Sequence, residues 1–316
     1  MKLKALDVLV CPSCKRELAL LTQCWEGAEV ISGVLRCEPC VREYPIVRGV
    51  PRFVSSDAYA SSFGKQWTWF RDVQLDSRNG TRQSWDTLRR TTGWRDEDYR
   101  GRLVLDAGVG AGRFAEVAAR NGAEVVGVDL SEAVEAAYAN IGRNERVHIV
   151  QADIFALPVR DESFDLTYSI GVLHHTPDPC AAFVRVARSV KKGGHLAVYV
   201  YAAYGLAVRS SDMIRRVTTR LPARVMFAVA ALAIPAYYVY RLPLLGKLLQ
   251  LIVPISLHPD PRWRWLDTFD WYTPRYQWKF RYPTVIRWFR NNGFLDIDVF
   301  DEPIRLRGIK NAEPQL

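Results

Sequence analysis

Two pairs of cysteines, Cys11-Pro-Ser-Cys14 and Cys37-Glu-Pro-Cys40, stand 22 residues apart. Each Cys-x-x-Cys makes a tight knuckle that aims two thiolates at one point, and two knuckles complete the tetrahedral four-sulfur site that zinc takes. A redox role fits less well, because the pair is duplicated and no βαβ pattern surrounds it. Cys24 lies between the pairs and reads as a buried small residue. A second group is Asp106-Ala-Gly108-Val-Gly110-Ala-Gly112, with Asp129 following 23 positions after Asp106. Glycines let a ligand approach the first amides of a helix, and an acid ending the next strand can accept from ribose hydroxyls. The plain alternative is a tight turn in an ordinary α/β protein. No Gly-Lys-Ser/Thr is present, so this is not a phosphate-binding P-loop. The third group is His174-His175, adjacent imidazoles that could remove a proton near pH 7 or simply orient their loop.

The surrounding pattern says what must hold these groups. Leu103–Leu105 and Val125–Val128 are short apolar runs, and Phe114, Val117 and Ala118 have helical spacing between them. That is one strand–turn–helix–strand unit. Ser131 is a candidate N-cap for a helix to Ile141 that Gly142 stops. Val147–Val150 reads as a strand, a helix starts at Cys180, and Lys191-Lys-Gly193-Gly194 ends it before a strand over His195–Tyr201. Pro283 opens a last helix closed by Asn291-Asn-Gly293, and Leu295–Phe300 with Ile304–Ile309 form a hairpin across Asp301-Glu-Pro303.

The stretch from Asp106 resembles motif I of the class I S-adenosylmethionine-dependent methyltransferases of the type 11-like group, with Val109 where relatives often carry Cys. The resemblance spans residues 101–202 and returns at 283–310. It implies an α/β, Rossmann-like seven-stranded sheet of strand order 3-2-1-4-5-7-6 whose last strand is antiparallel. It also implies a cofactor site: Asp106, Gly108, Gly110 and Gly112 around the methionine, Asp129 with Leu130 at the ribose, Asp153 at the adenine amine and Ile154 on its ring. The segment from Ser169 to His174-His175 would pass under the methionyl end, and Asp165 is structural in that family. An Asn-Pro-Pro-Tyr motif, expected for amine methylation of adenine or glutamine, is absent. Cys180 reads as structural. Tyr44-Pro-Ile-Val-Arg-Gly49-Val-Pro51 resembles the end of Trm112-like zinc ribbons, which serve methyltransferases as partners or appendages. The implied ligands are S-adenosylmethionine and zinc, the latter on Cys11, Cys14, Cys37 and Cys40.

Three segments follow: a ribbon over 1–54, an aromatic-rich helical linker or lid over 55–100, and a methyltransferase domain over 101–316 with a helical insertion at 203–282. Trp67, Trp69, Trp85 and Trp94, with Phe63 and Phe70, suggest that the linker closes over the nucleoside site or packs on the sheet. Phe63-Gly-Lys-Gln-Trp67 resembles a segment that precedes motif I in many bacterial methyltransferases. The insertion carries the apolar runs Val225–Tyr240 and Leu242–Leu257, each shorter than a spanning helix needs. Between 203 and 258 seven Arg or Lys oppose Asp212 alone, a net +6 of the chain's +9. Such a segment fits a lid, a dimer contact or a peripheral membrane surface. Asp267 to Tyr276, dense in aromatics and polar tips, is expected to line an acceptor pocket.

The 316 residues are 49% hydrophobic and 24% charged, an ordinary globular composition. The N-terminal MKLKALDVLV lacks a signal-peptide core, and six cysteines without such a signal fit a reducing cytosol, with contact at the inner membrane face as an addition. The reading is a methyltransferase acting on an oxygen of a small hydrophobic, lipid-linked or glycosyl acceptor. An RNA methyltransferase using the ribbon and basic surface is the first alternative, and a non-catalytic cofactor-binding scaffold the second.

Overall fold

A computed structural model describes residues 1–54, 70–301 and 304–312. Trp67, Trp69 and Phe63 of the linker, Pro303 of the hairpin and the last residues of the chain lie outside these. Seven strands form the main sheet: β5 (Leu103–Ala107), β6 (Glu124–Asp129), β7 (Val147–Gln151), β8 (Phe164–Ile170), β9 (Val190–Tyr199), β10 (Phe294–Val299) and β11 (Arg305–Lys310). Their order is β7-β6-β5-β8-β9-β11-β10. β11 runs antiparallel to both of its neighbours, whereas β5–β9 pair in parallel. This is the expected 3-2-1-4-5-7-6 sheet, a Rossmann-like methyltransferase fold.

Strands buried on both faces explain the apolar runs. Val104, Val125, Ile149 and Leu166 point to one face, where they meet Leu88, Phe114 and Val117. Leu105, Val126, Val150 and Leu196 point to the other, under Phe183, Val186, Trp288 and Phe289. The helices are α2 (Gln83–Thr92), α3 (Arg113–Arg120) and α4 (Ala133–Ile141) for the first face, with α5 (Pro179–Ser189) and α11 (Tyr282–Asn291) for the second; a single turn, α1 (Asp76–Asn79), precedes them. β9 begins at Val190, ahead of the Lys-Lys-Gly-Gly turn expected to precede it, and the β8–β9 register shifts between Phe164 and Leu166 to accommodate the extra residues.

The N-terminal segment is an antiparallel meander of β1 (Ala19–Glu26), β2 (Glu29–Cys37), β3 (Arg42–Val47) and β4 (Val50–Pro51), turning at Gly27. It does not stand apart. Leu9, Leu35 and Ile46 share one core with the second face of the main sheet. Val10 donates to the Pro158 carbonyl and Arg160 donates back to Val8, both at 2.9 Å. The chain after β4 then pairs in parallel at Arg52 with Gln151, so the ribbon extends the main sheet at its β7 edge. Cys24, expected to be buried, is exposed: β1 is an edge strand, and its register shifts on both sides of this residue.

Five helices fill the insertion: α6 (Leu206–Thr218), α7 (Ala223–Ala231), α8 (Ala233–Tyr240), α9 (Leu245–Ile252) and α10 (Pro261–Tyr272). The long apolar run divides at Leu232 because Pro235 has no N–H to return to the preceding turn. α10 starts at the Asp260 carboxylate, which accepts from the Trp263 amide at 2.9 Å.

Candidate active site

A cavity of about 340 Å³ opens at the carboxyl ends of β5, β6, β8 and β9, within the range of small-molecule sites. Its floor is the turn after β5, with Gly108, Val109, Gly110 and Ala111. Gly108 has φ +103°, and a Cβ there would stand 2.2 Å from Val172 Cγ2, so only glycine fits. Asp129 and Leu130 end β6 on one side. The Asp129 carboxylate accepts from the Gly110 amide at 3.0 Å and from the Ser131 amide and hydroxyl at 2.9 and 2.7 Å. Burial still raises its pKa above the usual range. Each carboxylate oxygen can accept more than one bond, so capacity remains for a diol. Ile154 and Leu157 supply an apolar wall beyond it.

The opposite wall was only partly legible. His175 and Thr176 come from the turn after β8, Tyr199 from the end of β9, Tyr201 from just beyond it, and Asp267 and Asp270 from α10. The His175 Nδ1 lies 2.8 Å from the Tyr276 carbonyl, which fixes the proton on Nδ1 and the basic lone pair on Nε2. Burial lowers its pKa to about 4, so the ring is neutral at physiological pH. Arg113 also lines the cavity, its guanidinium 4.5 and 5.3 Å from the rings of Phe114 and Trp263. Its Nε is buried with no hydrogen-bond partner among the described residues, and burial lowers its pKa to about 10. Asp267, pushed up to about 6 by burial against the pull of Arg113, accepts from the Ser256 hydroxyl. Sequence reasoning gave Arg113 no role, although its place directly after the glycine turn marked it. Gln74 and Thr87 reach the cavity from the linker, while Trp85 and Trp94 do not.

Several residues expected at the cofactor lie outside the cavity wall. Asp106 is buried beneath it, where its carboxylate takes the Tyr168 hydroxyl at 3.0 Å and the Ala115 amide, holding the start of α3. Gly112 is set against Ile141 of α4. Ser169 donates to the Ala107 carbonyl at 2.8 Å, tying β8 to β5. Asp153 flanks the apolar wall and caps the turn at Phe155. His174 is wholly buried behind His175, its ring centre 3.8 Å from that of Tyr201 and tilted by 30°, and neither ring nitrogen has a partner among the described residues. Asp165 is structural, accepting from the Leu103 amide and from Lys191. A separate cluster joins the Sγ atoms of Cys11, Cys14, Cys37 and Cys40, all within 4.8 Å of one another.

Comparison with known families decides what this frame is. Residues 105–198 match the family described as methyltransferase domain, and residues 2–49 match Trm112p-like protein. Residues 105–198 are thus a methyltransferase domain, and a Trm112p-like ribbon precedes them. The methyltransferase domain is 37% identical over 99 residues to a ubiquinone biosynthesis O-methyltransferase of Alkalilimnicola ehrlichii, covering 30% of this chain and 40% of that one. It is 35% identical over 118 residues to the O-methyltransferase cnsE of Penicillium expansum, covering 36% and 43%. The chain thus spans about two-fifths of the length of these curated relatives. Among solved structures, a complex of the Haloferax volcanii Trm112 methyltransferase activator with a methyltransferase is similar at 14% identity and a TM-score of 0.48, covering 80% of this chain and 100% of that one.

Proposed function

We propose that the protein transfers a methyl group from S-adenosylmethionine to an oxygen of a small acceptor with an apolar body. The observation that carries this is the cavity itself: a glycine floor only glycine can form, Asp129 at one end, and a wall of His175, Tyr199 and Tyr201 at the other. The O-methyltransferase names of the relatives support oxygen as the acceptor atom. When bound, the cofactor supplies an electrophilic methyl group on a sulfonium. Asp129 would hold the ribose hydroxyls, with Leu130 beside them, and Ile154 would cover the adenine ring with Asp153 at its edge. Arg113, whose Nε has no hydrogen-bond partner among the described residues, would answer the cofactor's carboxylate. His175, protonated on Nδ1 toward Tyr276, would take the acceptor's hydroxyl proton on Nε2. Holding nucleophile and methyl donor in line accounts for much of such catalysis.

The four cysteines would hold zinc. A tetrahedral site with Zn–S of about 2.3 Å sets its sulfurs about 3.8 Å apart, and the cluster's 3.5 Å Cys14–Cys37 separation within a 4.8 Å limit fits that set. The metal would supply folding free energy to the ribbon.

The test is calorimetric titration of S-adenosylhomocysteine into zinc-loaded protein, with Asp129→Ala as control. Micromolar binding that the substitution abolishes supports the reading and leads to a screen of phenolic, lipid-linked and glycosyl acceptors. Folded protein that binds none would end the methyltransferase reading.

A further inference from the structure

Seventeen of the twenty-five exposed large apolar side chains among the described residues lie between Tyr204 and Leu257. Met213, Leu232, Tyr238, Leu244, Leu248 and Ile252 are each more than half exposed. The eighteen residues Ala223–Tyr240 have a mean hydropathy of 1.5, yet only 17% of them are buried. No acidic residue occurs from Met213 to Pro259, while Arg216, Arg220, Arg224, Arg241 and Lys247 are exposed there. A contiguous apolar surface of this kind is seldom left to water.

We propose that α6–α9 form an interfacial face that docks the protein on an anionic lipid bilayer. Exposed apolar side chains with five cations among them and no acidic residue from Met213 to Pro259 match the layering of acyl chains beneath anionic headgroups. A second copy of the chain is a poorer occupant, because the face would bring cations against cations with only Asp212, already paired with Lys279, to answer them. RNA would satisfy the arginines but leave the exposed leucines and isoleucines in water.

The helices lie along such a surface rather than across it. The Trp265 indole donates to the Phe227 carbonyl at 2.8 Å, which pins α7 to α10. Arg264 does the same for α8: it donates to the Ile234 carbonyl at 3.0 Å and stands 3.6 Å from the Tyr237 ring centre. α10 therefore lies between α7 and α8 on one side and the cavity on the other. Trp265 and Phe269 on one side meet Phe227, and Asp267 and Asp270 line the cavity. An acceptor with a lipid tail could thus be presented from the bilayer, an extension that rests on the proposed methyl transfer. Docking itself does not.

The experiment is flotation of the full, zinc-loaded chain with phosphatidylcholine vesicles, with and without phosphatidylglycerol, over a range of salt. Binding should require the anionic lipid and weaken with salt. Each basic residue near an anionic surface strengthens binding about fivefold, so the triple change Arg216→Ala, Arg220→Ala and Arg224→Ala should weaken it about a hundredfold. The triple change Leu244→Ser, Leu248→Ser and Leu251→Ser should abolish flotation while circular dichroism and S-adenosylhomocysteine affinity stay unchanged. Asp129→Ala should float like the wild type, which separates docking from the cofactor site. The proposal is overturned if the wild type stays out of anionic vesicles at low salt, or if both folded triple variants float as it does. It is equally overturned if light scattering finds a stable dimer that the leucine changes disperse, or if RNA binds the face more tightly than the vesicles.

Discussion

At the level of single residues, His174 and His175 are adjacent in sequence but opposite in role. His175 reaches the cavity with its proton fixed toward Tyr276, whereas His174 is buried with neither nitrogen partnered among the described residues. If His175 is the base, His175→Ala should lower kcat by about 10²–10⁴ and leave S-adenosylhomocysteine binding intact. Its lowered pKa sets the sign of the pH profile. A base that titrates near 4 is still unprotonated at pH 6, so activity should hold well below the 6.5 of an ordinary histidine and fall only toward pH 4–5. An acid limb near 6.5 in kcat would remove His175 from the step. His174→Phe should keep the ring contact with Tyr201, satisfy no fewer atoms than the imidazole does, and leave the thermal midpoint unchanged or raised. Gly108→Ala tests the floor: the added methyl must displace Val172 and sit at a positive φ, so cofactor binding should be lost in whatever protein still folds.

At the level of elements, the ribbon and the cofactor loop are one piece of structure. The Phe53 amide donates to the Gln151 carbonyl at 2.8 Å, Arg52 reaches the Gln151 side chain at 2.7 Å and also Glu135, and Tyr138 of α4 donates to Glu29 at 2.6 Å. The segment that follows Gln151 holds Asp153 and Ile154. Removing the zinc proposed for the ribbon should therefore do more than unfold β1–β4. We expect a chelator to lower the thermal midpoint and to weaken S-adenosylhomocysteine binding at least tenfold, with recovery on adding zinc; unchanged affinity in the chelated protein would make the ribbon an independent cap. The sequence announced the ribbon through its cysteine spacing but not this attachment. Sheet pairing between segments a hundred residues apart leaves no local pattern. α10 is a partial exception: the segment from Asp267 was expected at the pocket, and Asp267 and Asp270 do line the cavity, but the packing of α7 and α8 on the opposite side of that helix left no local pattern.

At the level of the whole molecule, the parallel strands were legible because apolar runs buried on both faces repeat between Gly-rich turns, and their order followed from the motif they carry. Asp129, Gly108 and Gly110 were legible for the same reason. The opposite wall was legible only in His175 and the segment from Asp267; Tyr199 and Tyr201, like Arg113 beside the glycine turn, have no motif and meet only after the sheet and insertion are assembled. That assembly makes two ligands separable in one experiment. Hydrogen exchange on the intact chain should slow at 107–113, 129–131 and 152–157 when S-adenosylhomocysteine binds, because those segments line or adjoin the cavity. With anionic vesicles the slowing should instead fall on 213–253, the exposed apolar face. Among the described helices α10 packs under α7 and α8 on one side and lines the cavity on the other, so the two ligands together should protect it more than either does singly. Protection at α10 that merely equals the larger single effect would mean that the docking face and the cavity act independently.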